Sequence, residues 1–232
     1  YAFSDFHLSG DPPTKPMDIF GENWKNHREK ILSAWKETIT AGDTVIMAGD
    51  ISWATHLEDA LSDLKTLSAL PGRKIIVRGN HDYWWNTVSK MKRMTDNAFE
   101  FIFNSALSVE NIALAGTRGW IPETSKKITE EDKVIILREQ GRLERSLIEA
   151  EKFNCEKIFA ILHYPPFDEQ RRPTKMMEIM KSHGVTDCIY GHIHGKQNFN
   201  NLPKELEGIQ LHLTSSDYLD FKPLLLTEWN ES

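Results

Sequence analysis

The sequence predicts an α/β fold organised around a parallel sheet, and three observations predict it. Apolar, strand-like runs alternate with helix-like stretches over the first third of the chain, in the order β-α-β-α-β. That order calls for parallel strands joined by right-handed crossovers. The runs stop at glycine followed by polar side chains, as in Gly49-Asp50 and Arg78-Gly79-Asn80-His81-Asp82. In an open α/β sheet, ligands gather outside that strand edge. Finally, 232 residues with 40% hydrophobic and 27% charged content suit one large domain with a substantial core.

Tyr1-Ala2-Phe3-Ser4 is the first expected strand, leaving toward Asp5-Phe6-His7. The chain begins inside that strand, which leaves room for a few residues upstream. Ser9 to Gly21 holds three prolines and two glycines and is a loop. A helix over Trp24 to Thr40 places Ile31, Leu32, Trp35 and Ile39 on one face. Thr44 to Ala48 is the second strand. A helix over Leu57 to Leu70 carries Leu57, Leu61, Leu64 and Leu67 at helical spacing, and Pro71-Gly72 ends it. Lys74 to Val77 is the third strand, and a short helix follows near Thr87 to Met94.

Phe99 to Ile102, Leu107 to Val109 and Ile112 to Ala115 are closely spaced strands, the last two joined by a Glu110-Asn111 hairpin turn. Thr117 to Ser125 is a loop. The longest helical pattern spans Thr129 to Phe153. Thr129 with Asp132 resembles a capping box, and Glu130 and Glu131 suit a helix N-terminus. Ile158 to Leu162 is a strand leaving at His163. A helix runs from Thr174 to His183, ended by Gly184. Cys188 to Tyr190 leaves at Gly191-His192-Ile193-His194, and Ile209 to Leu213 and Leu224 to Thr227 close the fold. No repeat or composition shift marks a second domain.

The net charge of -6 disfavours a nucleic-acid partner, because phosphate backbones select basic faces. Cys155 and Cys188 lie outside any C-x-x-C pattern. They give no sign of a disulfide framework or a zinc-thiolate site and fit a reducing, cytoplasmic setting. No apolar run reaches the roughly 18 residues of a membrane span.

Five strand exits carry metal-type side chains: Asp5 and His7; Asp50; Asn80, His81 and Asp82; His163; His192 and His194. Residues i and i+2 of a strand share a face, so Asp5 with His7, and His192 with His194, are expected to grip from single strand ends. Glycine precedes Asp50, Asn80 and His192 and lets backbone approach a crowded centre. Carboxylate, amide and imidazole donors suit Mn, Fe, Zn, Co or Ni, whereas the nitrogen count disfavours Ca and Mg. Seven ligands exceed one tetrahedral ion. They suit two ions about 3.5–4 Å apart that share Asp50. One histidine at a strand end is more often an ordinary polar residue; the joint pattern reverses that prior. His27, His56, His183 and His212 match no such position and are read as ordinary.

The order Asp-x-His, Gly-Asp, Gly-Asn-His-Asp, His, Gly-His-x-His, from Asp5 to His194, resembles the calcineurin-like metallophosphoesterase superfamily. Each motif alone is weak, and all five in order are highly specific. The resemblance implies a single metallophosphoesterase domain over 1–232. Its fold would be a four-layer α/β/β/α sandwich of two mixed β-sheets flanked by helices.

By matching positions, the resemblance implies two divalent transition-metal ions, with Mn favoured. Asp5, His7, Asp50 and His194 would hold one; Asp50, Asn80, His163 and His192 would hold the other. His81 would face the phosphate and protonate the leaving group or stabilise charge. Asp82 would orient its ring and favour the imidazolium. A hydroxide bridging the ions would be the nucleophile. The substrate would be a small phosphate ester, diester or monoester.

Asp50 is followed by Ile51-Ser52-Trp53-Ala54, without the Asp-Arg-Gly of the superfamily's protein phosphatases, which disfavours a phosphoprotein. Trp53, Trp84, Trp85 and Trp120 are candidates to stack on a nucleobase or aryl leaving group, although packing is commoner. Arg118, between Gly116 and Gly119, is a candidate phosphate clamp, as are Arg171 and Arg172. The competing reading is a non-catalytic scaffold of the same fold, as in a retromer subunit. The complete ligand set with His81 favours the enzyme.

Overall fold

Alternation along the parallel strands sorts their side chains into separate cores, and this builds the layers. A computed structural model describes residues 1–227. Strands β1 (Thr44–Met47), β2 (Arg73–Ile76) and β3 (Glu100–Phe101) form a three-stranded parallel sheet. The second sheet contains β4 (Ala106–Val109), β5 (Ile112–Thr117), β6 (Lys157–Leu162), β7 (Asp187–Tyr190), β8 (Glu205–Leu206) and β9 (Ile209–Leu213). Its order is β4-β5-β6-β7-β9-β8, parallel in the middle and antiparallel at both ends.

Helices α1 (His27–Thr38), α2 (Leu57–Ser68) and α3 (Val88–Met94) cover the first sheet; α4 (Glu130–Glu151) and α5 (Lys175–Ser182) cover the second. Val45, Met47 and Ile76 pack with Ile31, Trp35, Leu64 and Leu67 of α1 and α2. Their strand neighbours Ile46, Ile75 and Val77 point the other way, against Leu114, Phe159, Ile161 and Ile189. Ala113, Ala115, Ala160 and Leu162 then meet Leu143 and Leu147 of α4 and Met177 and Met180 of α5. The result is helix, sheet, sheet, helix, as expected. Thr129 caps α4: its Oγ1 accepts from Asp132 N at 3.1 Å, and its N donates to Asp132 Oδ2 at 2.9 Å. Among the described residues no helix is long and apolar enough to cross a membrane.

Two expected strands are reduced to single bridges. Ala2 bridges Ile46 and Leu224, and Ser4 bridges Ser215. The opening segment therefore crosses from the first sheet to the second and cannot extend a ladder in either. The antiparallel bridge at Leu224 is what remains of the strand expected over Leu224 to Thr227. Helix α1 also begins later than its periodicity indicates, because Glu22–Trp24 forms a 3-10 turn.

The strand ends crowd together. Gly49 adopts φ +95°, and a Cβ there would lie 2.5 Å from Gly79 Cα and 2.8 Å from His163 Nδ1. A Cβ on Gly79 would overlap Asp50 N and Oδ1. The exits of β1 and β2 thus touch backbone to backbone, which only glycine permits.

Candidate metal centre

Four expected ligands stand in left-handed backbone geometry: Asp5 (φ 58°), His7 (φ 49°), Asp50 (φ 54°) and His192 (φ 71°). Such geometry costs free energy in non-glycine residues and collects at functional sites. It also replaces the expected mechanism for the pairs. Asp5 with His7, and His192 with His194, converge through left-handed turns rather than through the two-residue pleat of a strand.

All seven residues meet at the shared edge of the sheets, in two groups. Donor atoms of Asp5, His7 and His194 lie within 4.8 Å of one another. His7 Nε2 is 3.2 Å from His194 Nε2, and His194 Nε2 is 3.3 Å from Asp5 Oδ1. In the second group Asn80 Oδ1 is 2.6 Å from His163 Nε2 and 2.8 Å from His192 Nδ1. Asp50 stands between the groups, with Oδ2 at 3.8 Å from His7 Nε2 and 3.5 Å from His163 Nε2. Its other oxygen accepts from His81 N at 2.8 Å.

Neighbours fix how the ligands present themselves. His163 Nδ1 donates to Ala48 O at 2.8 Å, so Nε2 is the lone-pair nitrogen. His194 Nδ1 faces Asp217 Oδ1 at 2.8 Å, and Asp217 Oδ2 also accepts from Gly195 N at 2.8 Å. Ser4 and Ser215 donate to Asp5 Oδ2 at 2.7 and 3.1 Å.

Electrostatics point the same way. Burial drives His163 down to about 4 and His192 down to about 3, so both rings are neutral, as metal ligands must be. His194 differs: burial opposes its charge, but its hydrogen bonds to Asp217 and Asp5, and their charges, lift it to about 10, so binding metal there would release a proton. Burial first, then the charges of Asp82 and Asp5, push the Asp50 carboxyl well above its ordinary range. His163 Nε2 and Asn80 Oδ1 are both acceptors at 2.6 Å, beside a carboxyl that burial disfavours as an anion. A cation resolves both conflicts, so the donor set fits divalent metal.

A cavity of about 690 Å³ opens over this edge, bounded by His7, Asp50, His81, His192 and His194 and by the rings of Trp24 and Trp53. That is ample for a small ester. His81 is half-buried with its ring centroid 4.2 Å from that of Trp53, and its buried Nδ1 has no partner.

Several expected roles are corrected. Asp82 does not touch the His81 ring. Its Oδ2 accepts from Asp50 N and Gly79 N at 2.9 and 2.7 Å, and its Oδ1 from Ile51 N and Trp84 Nε1, both at 2.9 Å. Those bonds consume both oxygens, so Asp82 ties the β1 exit to the β2 exit. His81 is correspondingly not held as an imidazolium: burial lowers its pKa, with Asp5 opposing.

Trp84 is 1% exposed and spends its indole N–H on Asp82, so it cannot stack on a substrate. Trp53 does border the cavity. Arg118 turns away, lying over the Trp120 ring at 4.3 Å and 3.8 Å from Glu139. Trp85 packs edge-on against Phe101, Arg171 covers Phe167, and Arg172 pairs with Asp168.

Sequence reasoning missed Asp217 and Trp24. Ser215-Ser216-Asp217 follows β9 as a further polar strand exit, and that signal pointed to Asp217. Trp24 sits in a stretch that helical periodicity claimed.

Over residues 1–196 the chain matches the family model described as calcineurin-like phosphoesterase. Protein AQ665 of Aquifex aeolicus, described as of unknown function, superposes with a TM-score of 0.54 at 19% identity, over 97% of this chain and 93% of its own. The phosphopantetheinyl hydrolase of Mycobacterium tuberculosis gives 0.54 at 13% identity, over 100% and 97%. TT1561 of Thermus thermophilus gives 0.59 at 12% identity, over 91% and 86%. At such identities these likenesses show the fold. No curated protein matches the chain significantly. The family is one of metal-dependent phosphoester hydrolysis, generally with two divalent ions, and its model spans every expected ligand from Asp5 to His194: the chain belongs to the calcineurin-like phosphoesterases.

Proposed function

We propose that this protein is a dinuclear metal-dependent phosphohydrolase acting on a small phosphodiester or phosphomonoester. The observation that carries the reading is the meeting of two ligand groups on Asp50. Asp5, His7, Asp50 and His194 would hold one ion, and Asp50, Asn80, His163 and His192 the other. Two divalent ions bound there supply a nucleophile from water near neutral pH and offset charge on the phosphoryl oxygens.

The chain's own residues do the rest. Left-handed backbone at Asp5, His7, Asp50 and His192 aims their donors inward before any substrate arrives. His81 borders the cavity and offers its ring to the reacting phosphate. Burial keeps it neutral in the resting site, and an anionic phosphate alongside raises its pKa again. It then donates a hydrogen bond or proton toward the leaving oxygen. Trp53, tilted against His81, offers a face to an aryl or heterocyclic arm.

The test is a rate comparison on bis-p-nitrophenyl phosphate and p-nitrophenyl phosphate, after metal removal and Mn addition. Mn is expected to restore hydrolysis of at least one ester, and His81→Ala to lower kcat on it by about 10²–10³-fold. Well-folded, metal-loaded protein that cleaves neither would favour the scaffold reading. The ratio of the two rates assigns diester or monoester preference.

Asp217→Asn gives a second prediction. Losing the carboxylate that receives His194 Nδ1 is expected to weaken metal binding by roughly 10–100-fold. Titration of metal-free protein with Mn, read calorimetrically, checks it; unchanged affinity would remove Asp217 from the account.

A further inference from the structure

Behind the centre, on its Asn80 and His163 side, four arginines crowd one buried carboxylate. Arg78 precedes Asn80 by two residues, and Arg118 O accepts from His163 N at 3.1 Å and Tyr164 N at 2.9 Å. Glu139 of α4 is fully buried. It is satisfied by Thr117 Oγ1 at 2.6 Å and Arg142 at 2.6 Å. Arg118 and Arg138 stand 3.8 and 3.9 Å from it, beyond hydrogen-bond reach.

Arg78 and Arg118 each bury an Nε that has no partner. The charges of Asp82 and Glu139 act on Arg78, and those of Glu139 and Arg78 on Arg118. Glu139 and Asp82 together offset two of the four arginines. The others leave positive charge in surplus at a half-buried place in a protein whose net charge is -6. Fixing unpaired charge away from water destabilises a fold unless something binds there. The Arg118 and Arg142 side chains keep 12% and 21% of their surface exposed, so solvent reaches the cluster. Guanidinium forks match the paired oxygens of a tetrahedral oxyanion.

We propose that Arg78, Arg118 and Arg142 form a second anion site beside the metal centre, for phosphate or a phosphate monoester group. Its occupant is either free phosphate or a second phosphate of the substrate. The site does not depend on the hydrolytic reading, because its binding is measured without turnover.

The experiment is thermal unfolding of the metal-loaded full chain in millimolar sodium sulfate, against sodium chloride at equal ionic strength. Sulfate is expected to raise the wild-type Tm by about 3 °C or more. Arg78→Gln and Arg118→Gln are each expected to lose that rise. In chloride both variants are expected to melt no lower than wild type, because each removes a charge without a hydrogen-bonded partner. Arginines that merely support the fold give the opposite: a lower Tm in chloride for both variants. That result, or a sulfate shift the variants keep, overturns the site.

Kinetics then assign the source, using thymidine 5′-(p-nitrophenyl phosphate) and its 3′-phosphorylated analogue. A KM at least about tenfold lower for the analogue, abolished in Arg118→Gln with the plain ester unchanged, assigns the substrate's second phosphate. Equal KM values, with the sulfate shift present, assign free phosphate.

Discussion

Asp50→Asn is expected to lower kcat on the better of the two nitrophenyl esters by at least roughly 10³-fold while leaving the fold intact. The size follows from position. Asp50 lies between the two ligand groups, with the same Oδ2 within 3.8 Å of His7 Nε2 on one side and 3.5 Å of His163 Nε2 on the other. An amide keeps the acceptor for His81 N but removes the negative charge that the two proposed cations would share.

Misfolding would give the same loss of rate, so stability separates the two explanations. Without metal, burial and the charges of Asp82 and Asp5 oppose ionisation of Asp50. The neutral variant is therefore expected to melt no lower than wild type when both are metal-free. With Mn present, wild type is expected to gain more in Tm than the variant, by mass action. A metal-free variant that melts several degrees lower would show that Asp50 is structural.

Asp82→Asn is expected to give the largest loss of stability, about 3–5 kcal/mol or roughly 10 °C in Tm. Burial raises the Asp82 pKa, and the backbone N–H groups that surround it oppose that rise. Oδ2 accepts from Asp50 N and Gly79 N, and Oδ1 from Ile51 N, Trp84 Nε1 and, at 3.4 Å, Ser52 N. An asparagine turned either way sets its NH2 against at least two donors, and these lose their acceptor away from water. The same bonds hold Asp50 N and Gly79 N together, so kcat is expected to fall as well. Urea unfolding checks the first claim; a change under about 1 kcal/mol would contradict the network.

Much of the centre was legible because its signals are local. A polar donor directly after an apolar run marks a strand exit wherever it stands, and five such exits in order, three of them behind a glycine, sufficed to name Asp5 through His194. The helices were equally plain, since α2 carries its own periodicity and α4 its own capping box. Failures came where partners are distant in sequence. Asp82 looked like a partner for adjacent His81, yet its donors come from Asp50 and Ile51 across the closed gap between β1 and β2. Trp84 looked available for stacking until that carboxylate claimed its N–H. Arg118 looked like a clamp, but α4 presents Glu139 on the other side. The opening segment has strand composition, yet it divides its pairing between two sheets.

The most direct test of the dinuclear centre is a count of Mn bound to metal-free protein, followed by electron paramagnetic resonance while hydrolysis is recorded in parallel. The account predicts saturation at two Mn per chain, a spectrum of two coupled ions, and turnover that rises with the second equivalent. Saturation at one ion, or two uncoupled ions, would contradict a centre built on a shared Asp50.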